Sequence, residues 1–166
     1  MTGEFEIERK YLVEFPDISN LDVCKTISIC QTYLLREDKD LQRRVRSLEI
    51  NGVTTYTYTE KRFLSPVTRE EKEYEIDKNE YEKLLLEADN ECVPIQKVRY
   101  CFDYKGQLFE LDTYPYSDKL AILEIELGSP EQVVYFPETI NVIKEVTADS
   151  RYSNAALASA GAFPEI

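Results

Sequence analysis

Hydrophobic and polar positions alternate along most of the chain with a period of two. In residues 4–13, EFEIERKYLV, one face of an extended strand carries Glu4, Glu6, Glu8 and Lys10. The other carries Phe5, Ile7, Arg9 and Tyr11, because successive strand side chains point to opposite sides. The same period predicts strands over 5–13, 26–36, 42–50, 54–63, 70–76, 96–104, 107–114 and 121–128. Asn51-Gly52 is a two-residue hairpin signal, and Lys105-Gly106 links another pair. Enrichment in Tyr, Thr and Val agrees with strands. Helical spacing is rarer. Residues 78–88 place Tyr81, Leu84, Leu85 and Ala88 on one face. Ser129-Pro130 is a cap and first-turn signal for a short helix over EQVVYF, and residues 139–142 suit a helical turn. Residues 153–160, SNAALASA, open on a capping serine and stop at Gly161. The expected fold is α+β, mostly β: antiparallel strands, a few flanking helices, and one domain over 1–166.

The polar positions add a second regularity. Arg44-x-Arg46, Glu71-x-Glu73-x-Glu75, Lys97-x-Arg99, Glu110-x-Asp112 and Glu124-x-Glu126 each put like charges on one face of a strand, with apolar residues between them on several strands. Thr55, Thr57, Thr59 and Lys61 share a face in the same way. Any single ExE or RxR is well explained as the wet face of an antiparallel sheet. The whole series is not, because a generic solvated face mixes signs along each strand. A closed eight-stranded antiparallel barrel satisfies the pattern, with charged faces inward and apolar faces outward under helices. The inward cations are then Lys10, Arg44, Arg46, Lys61, Lys97 and Arg99. The inward anions are Glu6, Glu8, Glu71, Glu73, Glu75, Glu110, Asp112, Glu124 and Glu126. The excess of carboxylates calls for divalent cations, and the Arg and Lys strands suit an oxygen-rich anion. A polyphosphate with Mg²⁺ or Mn²⁺ fits both sets.

Composition narrows the chemistry. The chain has no histidine, which removes Ser-His-Asp and Cys-His catalysis and histidine metal sites. Any metal must be held by oxygen. Net charge is −12, so a nucleic-acid surface is not expected, although a local cationic pocket is compatible with it. Only five glycines occur and no GxxxxGK[ST] loop, so side chains and not a backbone cradle must bind phosphate. No apolar run reaches the roughly 20 residues of a membrane span, and the N-terminus has no signal-peptide character, so the expected location is the cytoplasm. Cys24, Cys30, Cys92 and Cys101 form no CxxC pattern and read as reduced thiols. The oligomeric state is open, a homodimer included.

The ordered motifs resemble the CYTH family, the triphosphate tunnel metalloenzymes, over essentially the whole chain. Glu6-Ile7-Glu8-Arg9-Lys10 is similar to its ExExK signature, and Gln31-Thr32-Tyr33-Leu34 to its second-strand motif. Arg44-Val45-Arg46, Thr59-Glu60-Lys61, Arg69-x-Glu71-x-Glu73, Lys97-x-Arg99, Glu110-Leu111-Asp112 and Leu123-Glu124-Ile125-Glu126-Leu127 follow in the family's order. The stretch from Lys144 to Asn154 resembles the ending of its bacterial branch. The resemblance implies metal-dependent hydrolysis of inorganic triphosphate or a related triphosphate, a small-molecule substrate. Class IV adenylyl cyclases and thiamine or nucleoside triphosphatases share these motifs and remain alternatives, as does a non-enzymatic polyphosphate-binding module. By the same resemblance Glu6, Glu8, Glu124 and Glu126 bind metal, with Glu71, Glu73 and Asp112 as secondary ligands or water positioners. Lys10, Arg44, Arg46, Lys61, Lys97, Arg99 and Lys144 bind phosphate. A Lys–Tyr pair that can act as a base falls on Lys61 and Tyr33, with a simple phosphate clamp as the other role for Lys61. Thr32 stands where the family usually has glycine, and Arg62-Phe63 where it has a glycine-proline turn. The absence of Trp removes one means of stacking an organic base.

Overall fold

Nine strands run in chain order through the computed structural model: β1 (Glu4–Glu14), β2 (Val23–Tyr33), β3 (Leu41–Ile50), β4 (Val53–Phe63), β5 (Thr68–Ile76), β6 (Ile95–Tyr104), β7 (Gln107–Thr113), β8 (Leu120–Glu126) and β9 (Val142–Glu145). It describes residues 4–166, with side chains from Ile7 onward. All pairings are antiparallel, in the order β5-β4-β3-β2-β6-β7-β8-β1-β9, with β5 also paired to β1. That last pairing closes the barrel. At the seam the Ile7 carbonyl accepts from Leu127 N on one side, at 2.7 Å. On the other side Glu8 N donates to the Val67 carbonyl at 3.3 Å. The expected eight-stranded barrel is therefore present. The short strand β9 lies beside Tyr11, Leu12 and Val13, on the edge of β1 that β8 does not occupy.

Local chemistry sets the turns. Asn51 and Gly52 have φ of 52° and 81°, and Lys105 and Gly106 have 50° and 73°. Positive φ at both central residues matches the right-handed twist of the flanking strands. Helix α1 (Lys78–Leu84) starts where the Asp77 side chain accepts from Glu80 N at 2.8 Å. It ends earlier than the apolar spacing suggests, passing into a 3₁₀ turn over Leu85–Glu87. Strand β2 begins and ends three residues before the expected 26–36. Asp89 N pairs with the Tyr33 carbonyl, and Leu34 forms an isolated bridge with Ala88, so the chain turns away there.

The helix expected over residues 131–136 does not form. After a turn at Ser129, the segment is extended. Val134 and Phe136 pack on the outer core while Val133 and Tyr135 face solvent, a period of two. Phe136 meets the Tyr11 ring edge-on, with centroids 4.8 Å apart. Residues 139–142 likewise lead from a turn into β9 and not into a helical turn. The outer faces are thus covered unevenly. An extended segment covers Tyr11, Phe102, Phe109, Leu123 and Ile125, and α1 covers Val45, Tyr58 and Ile76. No described helix is long and apolar enough to cross a membrane.

The inward faces are not charged throughout. At one end Leu12, Tyr33, Ile95, Tyr114 and Ile122 form an apolar floor with Val146, Tyr152, Leu157 and Ala158. The last two belong to helix α2 (Asn154–Ala160). Ser153 caps it by accepting from Ala156 N at 3.0 Å, and Gly161 ends it at φ 66°. The C-terminal segment therefore plugs this end of the barrel. Leu157 is 1% exposed. Leu157→Ala is expected to cost about 2–5 kcal/mol by lost burial and a residual cavity. Urea denaturation of the two proteins checks this, and a change below about 1 kcal/mol would mean that the plug is loosely seated.

Candidate active site

Register decides which side chains meet inside the barrel. Arg44 lies opposite Tyr33 and Thr59, Gln42 opposite Lys61, and Lys61 opposite Glu71. Lys10 lies opposite Glu124, and Glu8 opposite Glu126. Glu124 is paired in turn with Glu110, and Arg99 with Asp112. Because the side-chain period is two, all of these point to one face. Apart from Thr59 and Asp112, they line a cavity of about 640 Å³ that is open to solvent.

The charge in this cavity is more balanced than the sequence suggested. Among the described residues its lining has seven cations and seven anions. The additions are Arg69, from β5, and Arg36 and Asp149, from the loops. Arg69 pairs with Glu8 at 3.1 Å and lies 5.0 Å from the Phe63 ring centroid. The expected strand started at Glu70, so Arg69 went uncounted. The alternation Arg69-x-Glu71 carries the signal that would have found it.

Most of the cations rest against carboxylates. Lys10 Nζ is 3.5 Å from Glu124 and donates to the Tyr152 carbonyl at 3.4 Å. Arg46 donates to Glu73 at 2.7 Å, and Thr59 donates to the same oxygen at 2.8 Å. Lys61 is 3.8 Å from Glu71. Arg44 differs from these. It is 6% exposed and no carboxylate among the described residues lies within ion-pair reach; its Nε has no hydrogen-bond partner, which is true also of Nε in Arg46 and Arg69. Tyr33 lies beside its guanidinium and takes a weak 3.4 Å hydrogen bond from Gln31.

Titration follows from this packing. Burial lowers the Lys61 ammonium to a pKa of about 7, Arg44 adding to the effect and Glu8 opposing it. Burial, with Arg44 second, brings Arg46 down to about 10. Burial would raise Glu8, but Lys61, Lys10, Arg69 and Arg44 together hold it below the ordinary carboxylate value. Burial raises Glu110, with Arg99 opposing and Glu124 adding to the rise. Burial also raises Tyr33, despite Arg44 and Lys10.

Four of the expected residues sit apart from the cavity lining, Glu75 among them, which is exposed on β5. Lys97 and Asp112 are fully buried and paired with each other at 2.8 Å. Lys144, on β9, lies with its ammonium 5.3 Å from the Tyr152 ring centroid. The side chain of Glu6 lies outside the described residues, although its backbone pairs with Arg69. Among the described residues no three carboxylate or thiolate side chains converge into a ready metal cage. The donor chemistry nevertheless suits a hard cation: Glu8, Glu124 and Glu126 share the cavity wall on two paired strands, and Glu8 is held ionised. The four cysteines are free.

Known proteins resemble this chain along nearly its full length. No family model matches it. An inorganic triphosphatase of Acetivibrio thermocellus is 35% identical over 153 residues, 92% of each chain. An inorganic triphosphatase of Nitrosomonas europaea is 34% identical over 156 residues, 92% of this chain and 96% of that one. The crystal structure of the inorganic triphosphatase NE1496 matches with a TM-score of 0.59 and 32% identity, covering 96% of this chain and 97% of the other. A closed antiparallel barrel with facing cations and carboxylates inside and a plug at one end defines a charged β-tunnel protein. The chain belongs to the CYTH family, the triphosphate tunnel metalloenzymes.

Proposed function

We propose that this protein hydrolyses inorganic triphosphate inside the barrel, with Mg²⁺ or Mn²⁺ as cofactor. The observation that carries the reading is Arg44: a buried guanidinium, turned into an open cavity, with no carboxylate partner among the described residues. A buried charge in that state is costly unless a ligand completes it. Phosphate oxygens do so, in the bidentate geometry that guanidinium favours. The two similar triphosphatases, each above 30% identity, support the choice of substrate.

The roles follow the geometry. Arg44 and Arg46 on β3, Lys61 on β4, Arg69 on β5 and Lys10 on β1 form a cationic wall for the phosphate chain. Glu8, Glu124 and Glu126 would hold the metal. When bound, the metal polarises phosphoryl oxygens and neutralises developing charge. In phosphoryl transfer, positioning and charge stabilisation supply most of the rate, so this fixed array is suited to the reaction. Lys61 acts as a phosphate clamp, and Tyr33 orients Arg44 from the adjoining strand. The apolar floor under Lys10 keeps that end of the cavity dry, which strengthens each charge interaction.

Product analysis tests the proposal. Inorganic triphosphate and ATP are supplied separately, each with Mg²⁺ and with Mn²⁺. The expected result is rapid orthophosphate release from triphosphate and little turnover of ATP. Cyclic AMP with pyrophosphate from ATP would overturn it in favour of a cyclase. Tight triphosphate binding without turnover under either metal would leave only a binding module.

A further inference from the structure

Asp112 and Lys97 form a buried pair behind the cavity, and their geometry is that of a brace. Asp112 Oδ1 accepts from Arg99 Nε at 2.8 Å, and Oδ2 from Arg99 Nη2 at 2.9 Å. Lys97 Nζ lies 2.8 Å from that same Oδ2. The side chains of Asp112 and Lys97 have no exposed surface, while Arg99 lines the cavity. A third contact, Arg99 Nη1 to Glu110 at 3.2 Å, holds the other guanidinium nitrogen. Both oxygens of Asp112 are therefore committed to cations. Three of the five guanidinium N–H groups are used, which leaves two for another acceptor.

We propose that Asp112 and Lys97 are positioning residues that fix Arg99 for phosphate binding, and that neither of them contacts metal or phosphate. This rests on the reading of the cavity as a triphosphate site. A metal on Asp112 would sit against two cations in a dry interior, where like charges repel strongly. A phosphate on Lys97 would have to enter a space closed to solvent. The bidentate pair instead fixes the guanidinium plane, and Lys97 offsets the charge of the second Asp112 oxygen. Arg99 then presents its free N–H groups without reorganising when the anion arrives.

A double-mutant cycle tests the brace, with Asp112→Asn, Arg99→Ala and the pair together. Asp112→Asn is expected to lower kcat/KM for triphosphate about tenfold, mainly through KM. In the Arg99→Ala background the same change should cost less than about twofold, because Asp112 acts through Arg99. The Mg²⁺ concentration for half-maximal rate should stay within about threefold of the parent's, whereas a metal ligand would shift it further. Additive losses, or a larger metal shift, would overturn the proposal. If Asp112→Asn does not fold, Lys97→Met still decides, since it leaves a one-to-one Asp112–Arg99 pair. Its KM should rise about threefold or more in the parent but by less than about twofold in the Arg99→Ala background, and a rise that persists in that background would make Lys97 a phosphate ligand. A readout independent of turnover is the Arg99 Nε–H signal in NMR. It should be protected from solvent exchange in the parent and lose that protection in Asp112→Asn. Absence of protection in the parent overturns the brace. Protection together with no triphosphate turnover would instead mean that the functional reading has failed while the brace stands.

Discussion

Replacing Arg44 with alanine should lower kcat/KM for inorganic triphosphate by about 10²–10³ and leave the fold nearly as stable as the parent. The two halves of this expectation come from one observation. Arg44 is buried among cations, with Arg46 and Lys61 as neighbours and no carboxylate of its own among the described residues. In the free protein it is a desolvated charge beside Arg46 and Lys61 whose carboxylate attractions, to Glu8 and Glu73, are longer than ion-pair contact, so removing it costs the fold little. In the complex it is a cavity cation with no carboxylate in ion-pair contact among the described residues, so its loss falls on substrate and transition state. Steady-state kinetics and a thermal melt on the same preparation check both parts. A variant that loses activity only because it melts early would refute the assignment. So would a variant with parental kinetics. The opposite effect on stability is expected for Arg46→Ala, because Arg46 holds Glu73 at 2.7 Å and truncating it leaves that carboxylate only the Thr59 hydroxyl.

The alternation of side chains along the strands made much of this site legible. A one-residue slip in register sends every side chain to the other face. The matching of Arg44 to Thr59, Lys61 to Glu71 and Lys10 to Glu124 puts these side chains on one face, whereas Glu75, assigned to the same face, is exposed outside the cavity lining. Arg69 was missed for the same reason that the rest were found. The expected strand began two residues late, at 70 where β5 begins at Thr68, and the count began with it. What alternation could not give was the partner of each charge. Asp112 looks like Glu110 or Glu124 in the sequence. Only the pairing of β6 with β7 puts Arg99 and Lys97 on either side of it.

Tertiary packing overrode the local signals elsewhere. Ser129-Pro130 favours a helix, but burial of Val134 and Phe136 on the outer core favours an extended chain, and burial wins. Strand β9 is four residues long and pairs across more than 120 positions with β1, so no local pattern marks it. The plug depends on the same kind of distant contact. Leu12 and Ile122 continue the inward faces that carry Lys10 and Glu124. They turn from charged to apolar where Tyr152 and Leu157 arrive. Alternation read alone would have left this end of the tunnel open.

Lys61 should couple the site to pH, in a direction that separates a phosphate clamp from a general base. Its pKa falls from the model-peptide value of 10.5 to about 7, through burial first and Arg44 second. The unfolded chain therefore binds more protons than the folded one between these values, so this residue makes stability rise with pH from about 7 towards 10.5. A triphosphate in contact with Lys61 reverses the shift, because an anion favours the ammonium. At pH 8 binding should then draw about 0.9 proton more into the parent than into Lys61→Met, and at pH 6 only about 0.1. Calorimetry in buffers of different ionisation enthalpy reads this difference, and the subtraction removes protons lost by the triphosphate itself. If Lys61 is a clamp, kcat/KM falls as pH rises through 7. Lys61→Arg keeps substantial activity and loses that limb, since guanidinium stays charged. If Lys61 is the base, kcat/KM rises through 7 and Lys61→Arg is inactive. Arg44 enters once more: in Arg44→Ala the neighbouring positive charge is gone, the Lys61 pKa rises, and the limb moves to higher pH. A limb that stays at the same pH in Arg44→Ala would show that a group other than Lys61 is titrating.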